Sequence, residues 1–167
     1  MLPYVGFHSF QNQDASSYGP GLRVGSLFGA RIGDLVSING ELTFDRANID
    51  SVIGLQQWFF RTSLSPLIHL PSGPVELSLG PKLGIYSVST NYSDTGLTIE
   101  TASSGYLTGI NGGVFAPVSA QTSIGGLVSF DLMWSKRTCA LSFGGTAQCG
   151  STTDVGKVFG LSGGVLF

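Results

Sequence analysis

The sequence predicts an all-β fold: an eight-stranded antiparallel up-and-down transmembrane β-barrel, with residues 1–167 forming a single domain. Three observations carry that prediction. Segments along the whole chain alternate large apolar residues with small or polar ones at period two, the period of an extended strand. Charged residues are only 11% of the chain, against roughly a quarter in soluble domains, so charge cannot cover the surface of a water-soluble globule. No run approaches the roughly 18 to 20 apolar residues of a membrane-spanning helix, and the 25 glycines and 7 prolines are spread through every segment. A surface that must meet something apolar, without helices, leaves closure of a sheet, because only closure satisfies every backbone N–H and C=O away from water.

The elements follow in order. The first strand covers 2–11 and sets Val5 and Phe7 against Gly6 and His8. After the polar stretch NQDASSYGP, the second sets Leu22, Val24, Phe28 and Ala30 against Arg23, Gly25 and Arg31. The third sets Val36, Ile38, Leu42 and Phe44 against Ser37, Asn39, Glu41 and Asp45, and a brief loop at 48–50 follows. The fourth, about 52–68, turns Trp58, Phe60, Leu64 and Ile68 one way and Gln57, Phe59, Arg61, Ser63 and Ser65 the other. The fifth, VELSLGPKLGIY at 75–86, is the cleanest, with Leu77, Leu79, Leu83 and Ile85 opposite Glu76, Ser78, Lys82 and Tyr86. Pro81 within it carries no N–H, which predicts a bulge or a missing ladder bond. A polar loop is expected at 90–104.

The sixth strand alternates Tyr106, Ile110 and Val114 with Gly109, Asn111 and Gly113, and a short turn is expected at 116–119. The seventh has Ile124, Val128, Phe130, Leu132 and Trp134 on one side and Ser129 and Asp131 on the other. The longest connection, 135–154, precedes a last strand with Phe159, Leu161, Val165 and Phe167 on one face. Short turns at one rim and longer loops at the other fit a transmembrane barrel whose apolar face meets lipid. Trp58, Phe60, Tyr106, Phe130, Trp134 and Phe159 fall where an aromatic girdle belongs.

Face parity constrains the turns, because a one-residue slip would exchange the two faces. Inward residues of strands two and three are both odd-numbered, which predicts a three-residue turn at 32–34. Strands four and five change parity, which predicts Ser72 and Gly73 alone, or those two with Pro71 and Pro74, and places His69 opposite Glu76.

The stretch GPGLRVGSLFGARIGDLVSINGELTFDR and the terminal GLSGGVLF resemble the small eight-stranded outer-membrane barrels of the OmpA/OmpX type. The resemblance covers the chain and implies residence in the bacterial outer membrane, contact with outer-membrane lipid and lipopolysaccharide, and assembly by the outer-membrane insertion machinery. Leu161, Val165 and Phe167 are similar to the terminal assembly signal that this machinery reads. The start at Met1 is what a mature sequence, cut free of a signal peptide and given a Met, is expected to show, and tethering to the cell wall through a further domain is not expected.

The interior is expected to hold Arg23, Arg31, Glu41, Asp45, Arg61, Glu76, Lys82 and Asp131, four bases and four acids that can neutralise one another. A structural polar plug is the first reading. A narrow pore or small-solute cavity is the alternative, since glycines such as Gly25, Gly80, Gly84, Gly109, Gly113 and Gly125 leave room. Cys139 and Cys149 are most simply a disulfide closing the longest loop. No metal-ligand cluster, cofactor motif or basic nucleic-acid footprint is present, the 8 Lys and Arg being scattered and the net charge −2. Some barrels of this size modify lipid A with a His, a Ser and a carboxylate; His8-Ser9 and His69 with Glu76 match no such motif, and no catalytic residue is assigned. The expected role is structural or surface-interacting through the long loops, ahead of a channel or small-ligand carrier and then a lipid A-modifying enzyme. A soluble lipocalin-like barrel is the rival fold.

Overall fold

The computed structural model describes residues 1–11, 20–48, 55–94, 97–119, 122–141, 147–151 and 155–166. Its strands are β1 (Leu2–Gln11), β2 (Gly21–Ile32), β3 (Val36–Asn48), β4 (Leu55–Ser72), β5 (Val75–Asp94), β6 (Leu97–Pro117), β7 (Ser123–Leu141), β8 (Ala147–Gly150) and β9 (Val155–Leu166). Each pairs antiparallel with its neighbour, and β9 pairs with both β7 and β1, which closes the sheet. The wall has eight positions because β8 and β9 are two pieces of its last strand, both lying on β7.

The period-two pattern resolves into an apolar outer wall and a mixed interior. Phe7, Leu64 and Leu83 are 64%, 64% and 66% exposed, whereas Arg61 and Asp131 are 1% and 0% exposed. That is the inverse of a soluble sheet, in which the leucines would be inside. The inside is layered. Phe10, Phe59, Val88, Leu107 and Met133 belong to an apolar cluster toward the long-loop end, and Leu2, Tyr4, Leu27, Leu67, Phe115 and Leu127 form a second toward the turns.

The strands are longer than the alternation predicts. Residues expected as a polar loop at 90–104 continue β5 and β6, with Asp94 paired to Leu97. The expected connection 135–154 likewise continues β7 to Leu141 and includes β8. A strand that rises above the apolar belt can carry Ser and Thr on both faces, so the hydrophobic period fades while the ladder continues. Within that extension Cys139 stands directly opposite Cys149, and the two form a disulfide. One irregularity interrupts β6–β7, a register shift between Ser104 and Gly105.

The turns keep the predicted parity with small displacements. Ile32 pairs with Val36, so the three-residue turn is 33–35 rather than 32–34, and Gly33 takes φ +71°, a conformation that glycine adopts without penalty. Ser72 pairs with Val75, leaving Gly73 and Pro74 as the second turn; Gly73 has φ +62°. His69 therefore stands opposite Ser78, and Pro71 opposite Glu76. The third turn is later than 116–119: β6 runs through Pro117, and the backbone N–H groups of Val118 and Ser119 donate to the Thr122 carbonyl. β3 ends at Asn48 and β4 begins at Leu55; most of the loop expected at 48–50 lies outside the described residues.

Pro81 has a partner in its irregularity. The β4–β5 ladder is continuous at Leu64–Leu83 and at Ile68–Leu79 but lacks the pairs between them, where Pro66 and Pro81 face each other. The register is the same on both sides, so this is a gap rather than a bulge. Ser65 Oγ crosses it to donate to the Pro81 carbonyl at 2.9 Å.

Reduction of Cys139–Cys149 releases a short loop, at a cost of about 3 kcal/mol by loop-closure entropy. We expect amide exchange to accelerate across β8 and the facing end of β7 on reduction, while β1–β5 amides keep their protection.

Candidate functional site

Two polar clusters occupy the barrel, and the predicted lumen residues divide between them. The central one holds Arg23, Glu41, Asp45, Arg61, Lys82 and Asp131. The Arg61 guanidinium bridges Asp45 and Asp131. Arg23 Nε donates to Asp45 Oδ1 at 2.8 Å, and its Nη1 to Ser129 Oγ at 2.6 Å. Lys82 Nζ lies 2.8 Å from Glu41 Oε2 and 3.1 Å from Asp131 Oδ1. Tyr4 donates to Glu41 Oε1 at 2.6 Å, and Ser63 and Asn111 donate to Oε2. Three cations thus face three carboxylates, and every one of the six is at least 96% buried.

Small residues make this possible. Gly109 sits between Lys82 and Asp131 in the ladder, and a Cβ there would lie 2.7 Å from Asp131 Oδ1. A Cβ on Gly160 would fall on the Arg23 guanidinium, and one on Gly25 would meet the Tyr4 ring. These three glycines are therefore space into which large side chains from neighbouring strands extend.

The second cluster lies at the short-turn rim, beyond the apolar layer of Leu2, Leu27 and Leu67, and it takes the other two predicted residues, Arg31 and Glu76. Arg31 stands opposite Ser37 on β2–β3, and Ser37 opposite Leu67 on β3–β4. His69, two residues along β4, is fixed by its backbone N–H to the Leu35 carbonyl at 2.7 Å. Its Nε2 is 2.7 Å from Ser37 Oγ and its Nδ1 is 2.8 Å from Glu76 Oε1. Arg31 Nη2 donates to the same Glu76 oxygen. Asn39 Nδ2 donates to Ser37 Oγ at 2.6 Å. Burial would raise the Glu76 carboxyl, but hydrogen bonds from Arg31 and His69 outweigh it and hold the group below the ordinary carboxylate range, at a rim position two residues past the turn. A cavity of about 550 Å³ opens at this rim, and its lining includes the polar Ser37, Asn39 and His69 and the apolar Leu2, Leu27, Leu67 and Phe115.

Ser37 escapes the sequence reading as a site residue. Its inward face is legible from parity, but its partnership with His69 depends on the β3–β4 offset, which no local pattern states. His8 and Ser9 do not meet: neighbours on a strand point to opposite faces, so His8 is buried against Phe59 with Nδ1 3.6 Å from Asp45, while Ser9 is exposed outside. Phe60, Tyr106, Phe130 and Phe159 are exposed on the outer wall, with Trp58 and Trp134 half-buried there. Tyr106 pairs with Trp134, Phe130 with Phe159, and Trp58 stacks on Phe44 beneath the Arg46 guanidinium, 4.9 Å from the indole ring. Leu161 is exposed on the outer wall and Val165 is half-buried; Phe167 lies outside the described residues. Among the described residues no group of three or more His, Cys, Asp or Glu could hold a metal ion.

No protein-family model and no curated protein matches this sequence. Solved structures do. The Neisserial surface protein A superposes with a TM-score of 0.70 at 15% identity, over 98% of this chain and 92% of that one. Ail, the attachment invasion locus protein of Yersinia pestis, gives 0.62 at 9% identity, over 99% and 95%. A major outer membrane protein from Thermus thermophilus gives 0.53 at 12% identity, over 99% of both chains. The fold is that of the small outer-membrane β-barrels.

The central network sets a stability test. Arg61→Met leaves Asp45 and Asp131 facing each other without their shared cation, and we expect a loss of about 3–5 kcal/mol, read from urea unfolding of the folded barrel. Arg31→Met, on a half-exposed side chain at the rim, should cost under about 1 kcal/mol.

Proposed function

We propose that this protein is an integral barrel of the bacterial outer membrane whose interior is closed to ions, and that it serves a structural or surface-interaction role through its long-loop end. The observation that carries the reading is the central network: three cations and three carboxylates neutralise one another inside the wall, with an apolar layer on either side. A conducting lumen wants unpaired charge along a wetted path. Here charge is paired, and side chains take the space beside Gly25, Gly109, Gly113 and Gly160. The outward leucines favour lipid as the surroundings, since an exposed apolar wall of this extent would associate in water.

In that setting Trp58, Phe60, Tyr106, Phe130, Trp134 and Phe159 serve as the interfacial girdle, in contact with outer-membrane lipid and lipopolysaccharide. Leu161 and Val165, with Phe167, serve as the signal read by the insertion machinery. The disulfide-clamped β7–β8 extension supplies a rigid surface at the long-loop end, where partners are met in barrels of this plan.

Two measurements test the reading. In planar bilayers the purified barrel should show no discrete openings; steps in current that change with Arg61 substitution would overturn the closed interior. In phospholipid vesicles Leu83→Lys, on the outer face, should cost about 2–4 kcal/mol of folding free energy if that position lies near the bilayer midplane. A negligible cost would place Leu83 outside the bilayer core.

A further inference from the structure

We propose that Ser37, His69 and Glu76 form a nucleophile, base and orienting carboxylate that hydrolyse a carboxylic ester entering the cavity at the short-turn mouth. The geometry is that of an activated serine. Ser37 Oγ is 2.7 Å from His69 Nε2, and His69 Nδ1 is 2.8 Å from Glu76 Oε1, so the two ring nitrogens are engaged by the two groups such a site requires. With its proton on Nδ1 the neutral ring satisfies both contacts, Nδ1–H donating to Glu76 and Nε2 accepting from the Ser37 hydroxyl, and Arg31 Nη2 also lies 3.2 Å from Nδ1. Arg31, on the same Glu76 oxygen, keeps that carboxylate ionised and therefore an acceptor.

The surroundings fit the same chemistry. Asn39 Nδ2 lies 2.6 Å from Ser37 Oγ, near enough to donate to an oxyanion formed on a carbonyl attacked there. Both Ser37 and His69 line the cavity of about 550 Å³, although each is itself largely buried. Its apolar wall, Leu2, Leu27, Leu67 and Phe115, suits an acyl chain. By contrast, the central network has no serine hydrogen-bonded to a histidine among the described residues.

The reaction balances with water as its only co-reactant. Ser37 Oγ forms a bond to the ester carbonyl carbon as its proton passes to His69 Nε2. The tetrahedral intermediate collapses with cleavage of the ester C–O bond, and the leaving alkoxide takes the proton from Nε2. Water, deprotonated by the same nitrogen, then attacks the acyl-serine, releasing the carboxylic acid and returning the proton to Ser37. Glu76 is a positioning residue throughout, holding the imidazole in the required tautomer. The mouth faces the side of the short turns, so the ester comes either from a soluble compound or from a phospholipid of the adjoining leaflet.

The test uses the full chain folded in detergent and in phosphatidylcholine vesicles. A fluorophosphonate probe should label Ser37, located by peptide mass spectrometry, and p-nitrophenyl butyrate should be hydrolysed. Ser37→Ala, which removes one oxygen, and His69→Gln should each lower kcat by on the order of 100-fold or more, while migrating as folded barrels on unheated gels. Glu76→Gln should lower kcat with KM unchanged, and Glu76→Asp should recover part of the loss, a split that a purely structural role would not produce. Release of fatty acid from the vesicles in a Ser37-dependent manner identifies the phospholipid source; hydrolysis of the butyrate ester alone identifies a soluble one. Absence of label at Ser37, or hydrolysis that survives Ser37→Ala, overturns the proposal and leaves the cluster a clamp at the rim.

Discussion

Closing eight strands leaves an interior about as wide as the side chains that fill it, and every second residue of the wall must find its place there. Within the apolar belt the outward positions go mostly to leucine, isoleucine, valine and aromatic residues, so there the inward positions carry most of the polar side chains. A charge at such a position has no water to retreat to and must be met by another charge from a different strand. Arg23, Arg61 and Lys82 come from β2, β4 and β5; Glu41 and Asp45 come from β3, and Asp131 from β7. Some of the contacts pass over intervening strands: Arg61 on β4 reaches Asp131 on β7, and Lys82 on β5 reaches Glu41 on β3. The network therefore ties distant wall segments together where lateral ladder bonds cannot.

The layering strengthens that tie. Apolar clusters on both sides of the network keep the surroundings poorly polarisable, which raises the value of each ion pair and the cost of any group left unpaired. It also explains the glycines. A guanidinium reaching across needs a position without a Cβ opposite it, which Gly160 supplies for Arg23, and Gly109 does the same where Lys82 and Asp131 meet. Glycine weakens a strand in isolation, but here the lost side chain is replaced by one from a neighbour.

Much of the fold was legible because period two survives wherever one face meets an apolar environment. The faces of β2 to β7 follow from alternation alone, and turn parity follows from the faces. Legibility stopped where that contrast stops. Above the apolar belt, 90–94 and 97–104 carry polar residues on both faces and read as a loop, although they are strand. The first two turns slipped by one residue because parity determines whether a count is odd or even and not where it begins. At the central site, sequence supplied the members and the charge balance but not the pairing, which depends on how the barrel closes. At the rim it supplied His69 and Glu76 but not Ser37, an ordinary strand serine until β3 and β4 are set in register.

The two histidines show how position divides similar residues between structure and chemistry. His8 approaches Asp45, but at 3.6 Å, and both Asp45 oxygens are already taken by Arg23 and Arg61. Its ring lies edge-on to Phe59, and neither nitrogen has a hydrogen-bond partner among the described residues. At that distance Asp45 does not hold the imidazole by a hydrogen bond, and among the described residues no serine is bonded to either ring nitrogen. Glu76 has one arginine, on a half-exposed side chain, and an oxygen shared with His69 Nδ1; Ser37 completes the line on Nε2. The apolar layer between the clusters separates these tasks, with carboxylates at the centre neutralising cations and the one at the rim left to direct a histidine beside a cavity open to water.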